Sequence, residues 1–416
     1  MNCIIFEDRT VSKLYPIVLG RPAYAILCGS YRLAELALSQ FAACRGIVRH
    51  HLTSLQQQSF PELHETQLAA DQPTLILNAS LVPSVSNLRQ ITQWAAETQA
   101  GLIQHEGRLV AALLPPEARI PTHKSNYDEF LTFVQNLTQS GDLPICTLKL
   151  NLFEYSHDVV HFNEAIINEN LEARLKTGRY QEVRDGLFVA GDVRLGENLA
   201  IDATSGPILL EEGTSVGPFC FLRGPAYLGK NVKVIEHSAI KDAVSLGHTT
   251  KIGGEVEATV IEPYSNKQHH GFLGHSYLGS WINLGAGTSN SDLKNTYGTV
   301  NMEYPTGRVA TKMQFVGSIF GDYSKTAINT GIFTGKTIGV CSMLYGFVTT
   351  NVPSFVNYAR LFGQVTELPP DVMISTQQRM FARRNVPQTD CDIQLIHNMY
   401  LLTQEERHLT GEPLVF

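Results

Sequence analysis

"LEEGTSVGPFCFLRGPAYLGKNVKVIEHSAIKDAVSLGHTTKI", residues 210–252, carries Leu210, Val216, Leu222, Leu228, Val234, Ile240, Leu246 and Ile252 at six-residue intervals. The positions between them are mostly small, polar or glycine. A helix repeats about every 3.6 residues and a strand every two or so, and neither produces this period. A hexapeptide parallel β-helix does, each six-residue step forming a short strand and a turn. Its aliphatics point inward and stack from coil to coil, and each coil buries its inner face against its neighbours. The alternative is an irregular β-sandwich with strands that fall in register, but sandwich hairpins do not hold one spacing over eight steps.

Upstream the same phase occurs at Val189, Leu195 and Ile201 and slips by three residues near "TSGP" (204–207). Downstream it is expected to return at Val316, Ile328 and Val340, so the repeat is read over roughly 189–352. It breaks between Gly287 and about Lys312, in "TSNSDLKNTYGTVNMEYPTGRVATK", which is polar and out of phase. A loop ejected from a regular solenoid has its base held rigidly and often carries function. Beyond 352, "PDVMISTQQRMFARR" and "TDCDIQLIHNMYLLTQEERHL" read as two helices, one opening on proline and one on a Thr/Asp cap. They are expected to cover the open end of the solenoid.

Before the repeat, short apolar runs ("CIIF", "PTLILNAS", "AGLIQHEGRLVAALL", "ICTLKLNLF") alternate with helix-compatible segments such as "SYRLAELALSQFAA" and "NLRQITQWAAETQA". That alternation predicts an α/β domain around a mainly parallel sheet. Residues 157–176, "HDVVHFNEAIINENLEARLK", put Val160, Ile167, Leu171 and Leu175 on one helical face and then meet Gly178. The expected layout is an α/β domain over 1–156, a connecting helix over 157–185, a solenoid over 186–355 and a helical segment over 356–416.

Composition narrows the function classes. The 416 residues are 43% hydrophobic and 17% charged, with a net charge of −7 and no basic excess to hold nucleic acid or an anionic membrane. No apolar stretch approaches the roughly 18 residues that span a bilayer, and "MNCIIFEDRT" lacks the basic start of a signal peptide, so a cytoplasmic location is expected. Seven cysteines at 3, 28, 44, 146, 220, 341 and 391 form no CxxC pair and are expected to be buried small hydrophobes.

Four blocks occur in order in the second half: "VGPFCFLRG" (216–224), "GHSYLG" (274–279), "NLGAGT" (283–288) and "FVGS" (315–318). They resemble segments of the left-handed β-helix of the bifunctional N-acetylglucosamine-1-phosphate uridylyltransferase/glucosamine-1-phosphate acetyltransferases, the GlmU family. The resemblance implies a left-handed, three-sided solenoid, a homotrimer with active sites between subunits, and acetyl-CoA as co-substrate. It also implies a nucleotidyltransferase-like, Rossmann-type first domain. There "KLYPIVLGRP" (13–22) resembles the segment after the family's glycine-rich loop, with Lys13 and Arg21 as its basic residues. The loop itself is replaced by "FEDRTVS", although close backbone N–H groups on glycines are what cradle nucleotide phosphates. Asn78, in "LILNASLVP" (75–83), stands where the family shows a metal-binding aspartate. Mg2+ and a nucleoside triphosphate enter only if this domain is active.

Acylating a sugar amine requires a base to take the proton as nitrogen attacks the thioester, and neutral histidine suits that task. His275 is the candidate, and the resemblance implies that Tyr277 and Asn283 position the sugar. The family has two residues between its histidine and tyrosine where this chain has one; aligning the tyrosines instead makes His269 or His270 the base. Arg223 matches the family's sugar-phosphate arginine, whose fork suits a phosphate dianion. Lys267 is nominated as a second basic contact, with a solvated loop lysine as the plain alternative. Ala286 and Ser318 align with acetyl-CoA contacts, though small residues also suit solenoid corners. Asp292 and Leu293 depart from the family where its chain approaches the cofactor.

The expected function is therefore N-acyl transfer to glucosamine-1-phosphate or a similar amino sugar phosphate, with nucleotidyl transfer in addition if the first domain works. Two other readings stay open. His237, His270 and His275 on a solenoid resemble the zinc site of the γ-class carbonic anhydrases, with a metal-bound water as nucleophile. A non-catalytic sugar-nucleotide-binding scaffold is the other.

Overall fold

The computed structural model describes residues 1–64, 66–121 and 127–408. The chain forms two compact units: residues 1–14, 21–26 and 31–154 in the first, and residues 15–20, 27–30 and 155 onward in the second.

The first unit is a six-stranded sheet: β1 (Asn2–Phe6), β2 (Ala43–Ile47), β3 (Thr74–Asn78), β4 (Gly101–His105), β5 (Arg108–Leu114) and β6 (Ile145–Cys146). Their order is β2-β1-β3-β5-β4-β6. β1 runs parallel to β2 and β3, whereas β5 is antiparallel to β3 and β4, so the sheet is mixed. The predicted run 100–114 folds as a hairpin about Glu106–Gly107, both at positive φ. β1 and β3 are fully buried, which is why they read as continuous apolar runs. The carboxyl ends of β1, β2 and β3 lie side by side in this unit. In open α/β sheets the crevice there is the usual ligand position.

The second unit begins with a helix, Asp158–Leu175, whose buried side includes Val160, Asn163, Ile167 and Leu171. The solenoid follows from Leu187 to Ala359 in short strands on three faces. One face runs from Leu187–Val189 to Lys336–Ile338 and another from Arg194–Leu195 to Val356–Ala359. The third runs from Ala200–Asp202 through Phe272–Gly274 to Phe347–Val348. All eight hexad aliphatics from Leu210 to Ile252 are at most 3% exposed and share one interior cluster. Burying each such side chain is worth roughly 1.5–3 kcal/mol, so this column is the main stabiliser of the solenoid.

Four further expectations are corrected. The later hexad phase is Phe320, Ile332, Ile338 and Leu344, all buried, whereas Ile328 is 69% exposed. The excursion leaves after Ser289–Asn290, which still pairs with Gly331–Ile332, and folds as an antiparallel hairpin of Asn301–Tyr304 with Gly307–Ala310. The last parallel strand, Val356–Ala359, is covered by an antiparallel strand, Gln364–Glu367. The helices Pro370–Ala382 and Asp390–Leu402 reach a solenoid corner instead, where Phe381 packs on Trp281 and Tyr400 on Phe355. Of the seven cysteines, Cys146 and Cys391 are only partly buried.

Candidate active site

His275 occupies a solenoid corner at φ +45°, a left-handed conformation that histidine adopts more readily than most residues. Its N–H donates to the Glu257 carbonyl of the preceding coil, and its own carbonyl accepts from the Gly317 N–H of the coil that follows the excursion. The ring stacks on Phe315, with centroids 5.0 Å apart. Nδ1 lies 2.8 Å from Asp292 Oδ2, and Nε2 lies 3.5 Å from Glu164 Oε1 on the helix Asp158–Leu175. The side chain is 13% exposed. With a carboxylate on Nδ1, that nitrogen carries the proton in the neutral ring and Nε2 is left as the basic atom.

Gly274 makes this pairing possible. A β-carbon there would overlap the Asp292 carboxylate and the Phe272 ring. The break in the strand ladder at this point is mended by Asn290, whose side-chain oxygen accepts from Gly274 N–H at 2.9 Å and whose amide donates to Gly274 carbonyl at 3.0 Å. The carboxyl of Glu164 is raised above its usual range, because partial burial outweighs the attraction of His275.

The other expected residues distribute unevenly. Ser318 is beside His275: its N–H donates to Ser276 Oγ, and its own buried hydroxyl has no hydrogen-bond partner among the described residues. Arg223 lies on the same face as Gly274 but three strand steps away, roughly 14 Å at about 4.8 Å per step. It is held between Asp202 and Asp242, each at 3.3 Å, and stacks over Phe221. Asn283 is exposed on a different face, bridging Asn266 and Lys325. Ala286 is at another corner, its carbonyl accepting from Asn329 N–H.

Two expectations fail on burial. Tyr277 has no accessible surface, and its hydroxyl donates to Glu262 Oε1 at 2.9 Å, so it cannot touch a substrate. Lys267 is 2% exposed: it continues the inward column of Val216, Val234 and Ile252, and its Nζ donates to the carbonyls of Gly253 and His269 at 2.8 Å. Burial lowers its pKa to about 8. It is neither a phosphate contact nor a solvated loop lysine. His269 and His270 are exposed at a corner distinct from that of His275, and His237 stacks on Phe219. Among the described residues of this chain no three His, Cys, Asp or Glu side chains gather to hold a metal ion.

In the first unit, Lys13 is half-buried in the turn Arg9–Leu14 that replaces the glycine-rich loop. Arg21 is buried, and its carbonyl accepts from Arg49 Nη2. Asn78 is fully buried at the end of β3, with Nδ2 donating to Asp8 Oδ2 at 2.7 Å and to the Leu109 carbonyl at 2.9 Å. Asp8 is also held by Arg108, whose Nε is 2.5 Å away. Asp8, Glu7, Arg49 and Arg108 were not singled out from sequence.

These features define a class: a sugar-nucleotidyltransferase-type sheet domain joined to a hexapeptide β-solenoid. Residues 3–179 match the sugar nucleotidyl transferase family model. Among curated relatives, the bifunctional protein GlmU of Cupriavidus pinatubonensis is 27% identical over 137 residues, 32% of this chain and 30% of that protein. The bifunctional sugar-1-phosphate nucleotidylyltransferase/acetyltransferase of Sulfurisphaera tokodaii is 27% identical over 148 residues, 35% of this chain and 37% of that one. The matches span about a third of these relatives' length. Among solved structures, the UDP-N-acetylglucosamine acyltransferase of Francisella novicida shares 14% identity at a TM-score of 0.32, over 56% of this chain and 79% of that one. The chain is a distant homologue of the GlmU-type bifunctional proteins. No helix among the described residues is long and apolar enough to cross a membrane.

Proposed function

We propose that the solenoid is an N-acyltransferase that uses His275 as general base, with an acyl-CoA thioester as donor and an amino sugar phosphate as acceptor. Acetyl-CoA and glucosamine-1-phosphate are the first pair to test. The observation that carries the reading is the Asp292–His275 pair, which leaves Nε2, 3.5 Å from Glu164 Oε1, as the proton-accepting atom of the ring. The amine nitrogen attacks the thioester carbonyl, the N–C bond forms and the C–S bond breaks. Nε2 takes the amine proton and returns it to the departing thiolate. General-base assistance of this kind contributes about 10²–10⁴ in rate.

Arg223 is the proposed phosphate contact, which requires the phosphate to compete with Asp202 and Asp242 for the guanidinium. Asn283 faces elsewhere on the same chain, so its participation requires a second copy. Exposed Ile328, Phe333 and Phe347 on the late coils supply apolar surface for such an assembly, and a homotrimer is the proposed state.

The test is sugar-dependent thiol release from acetyl-CoA by the full-length protein, beside His275→Ala and a light-scattering mass. A loss of about 10² or more in the variant supports the reading. No release with any amino sugar phosphate and several acyl-CoA donors, or unchanged release in the variant, overturns it.

A further inference from the structure

We infer that the N-terminal sheet domain has replaced a cation site with a fixed guanidinium and does not transfer nucleotidyl groups. In that reaction a sugar-phosphate oxygen attacks the α-phosphorus of a nucleoside triphosphate. The new P–O bond forms, the bond to the β-phosphate breaks, and pyrophosphate leaves. The charge that builds on the phosphoryl and leaving oxygens is ordinarily met by Mg2+ held on carboxylates with open coordination positions.

Among the described residues, the carboxylates that directly follow a parallel strand of the sheet's β2-β1-β3 side are Glu7 and Asp8, after β1. Glu7 is fully buried and spent: Oε1 accepts from Ala23 N–H and Arg49 Nη2, and Oε2 from the backbone N–H and Nε of Arg49, all within 3.0 Å. Asp8 Oδ1 accepts from Thr10 N–H, Thr10 Oγ1 and Arg108 Nη2 at 3.0, 2.7 and 3.2 Å. Its Oδ2 accepts from Asn78 Nδ2 at 2.7 Å and Arg108 Nε at 2.5 Å. A carboxylate offers about four lone-pair sites, and these five bonds use them all.

Asn78 closes the remaining route. Its side-chain oxygen accepts from Ser80 N–H at 2.9 Å, so it turns N–H toward Asp8 rather than an oxygen toward a metal. A cation at Asp8 would have to expel Arg108, which is anchored at its other end by the Phe153 carbonyl at 3.2 Å and Glu154 Oε1 at 2.9 Å. Mg2+ demands near-octahedral oxygen ligation at roughly 2.1 Å. The described residues do not fit it. Nor does Arg108 replace it chemically, because its charge is already spent on Asp8 and Glu154.

This inference stands apart from the acyltransferase reading, since it concerns only the first unit. Its test uses the full-length protein, with Mn2+ alone as the metal probe and electron paramagnetic resonance as the readout. Wild type is expected to bind no Mn2+ at millimolar concentration. Arg108→Ala combined with Asn78→Asp is expected to bind it at least about tenfold more tightly, and adding Asp8→Asn is expected to remove the gain. In parallel, wild type with each of the common nucleoside triphosphates, sugar-1-phosphates and Mg2+ is expected to release no pyrophosphate. Metal-dependent release of pyrophosphate with a sugar nucleotide as product overturns the inference. So does wild-type Mn2+ binding that Asp8→Asn abolishes, which stays decisive if the double variant fails to fold. A folded double variant with no gain in affinity also counts against it.

Discussion

Asp292 Oδ2 sits 2.8 Å from His275 Nδ1, and the two residues are seventeen apart in sequence. That separation is close to three hexads, so they occupy equivalent corners of successive coils. Asp292 stands at the base of the excursion, two residues past the paired strand Ser289–Asn290, and its carbonyl accepts from Val316 N–H where the excursion returns, so both feet of the excursion fix the distance. Asp292→Asn keeps the shape but lets the side chain present N–H to Nδ1, which favours the wrong ring tautomer. The expected outcome is a fall in kcat of about 10² or more with KM for both substrates little changed. Steady-state thiol release measures it. A kcat within a few-fold of wild type would show that Asp292 does not orient the base.

Gly274→Ala tests the same pairing from beneath. The residue has ordinary negative φ, so the substitution costs no backbone strain. Its methyl group would meet the Asp292 carboxylate and the Phe272 ring. The variant should lose kcat in proportion to the displacement of Asp292 while its thermal unfolding shifts by only about 1–2 °C, the response to about 1 kcal/mol in a chain of this size. Equal loss in wild-type and Asp292→Asn backgrounds would mean that Gly274 acts by another route.

Much of this was legible in the sequence where one repeat governs. The run Leu210 to Ile252 predicts the interior because every six-residue step has the same fate, and His275 is legible because "GHSYLG" resembles a family block and neutral histidine suits a general base. The later phase was misjudged because the excursion between Asn290 and Val316 need not contain a multiple of six residues, so counting through it carries no information. Lys267 is nominated because the resemblance calls for a second basic contact and the repeat phase is not followed to that position, yet a lysine can lie along the inward column and turn its charge onto two corner carbonyls. Glu164 was out of reach: only packing of the helix Asp158–Leu175 brings it to His275. The Asp8–Arg108 pair spans one hundred residues and leaves no local pattern.

The buried Glu7–Arg49 pair should dominate the stability of the first unit's cleft. Both Glu7 oxygens bond to Arg49, and Glu7 has no accessible surface. Glu7→Gln leaves the guanidinium uncompensated, which for a buried pair costs about 3–5 kcal/mol. Urea denaturation followed by probes in each unit should show the first unit melting earlier and the solenoid unchanged. A shift below about 1 kcal/mol would mean that Arg49 relaxes to water at little cost.

Lys267 gives a stability signal with a defined sign. Burial lowers its pKa from 10.5 to about 8 in the folded chain, while the unfolded chain keeps the ordinary value. Below about 8 both states carry the proton, and the folded state bears the full cost of the buried charge. Between about 8 and 10.5 the unfolded state binds more protons, so wild-type stability rises with pH through that window. The full swing is on the order of 3 kcal/mol at 1.36 kcal/mol per unit. Lys267→Met removes the titration and keeps most of the volume in the column. The stability of wild type minus that of the variant should therefore be flat from pH 6 to about 8 and then climb in favour of wild type. Acyl-transfer KM for the sugar phosphate should not move, because the ammonium faces the carbonyls of Gly253 and His269. A flat difference up to pH 10 would show that the ammonium reaches solvent. A large rise in KM would return Lys267 to the substrate site.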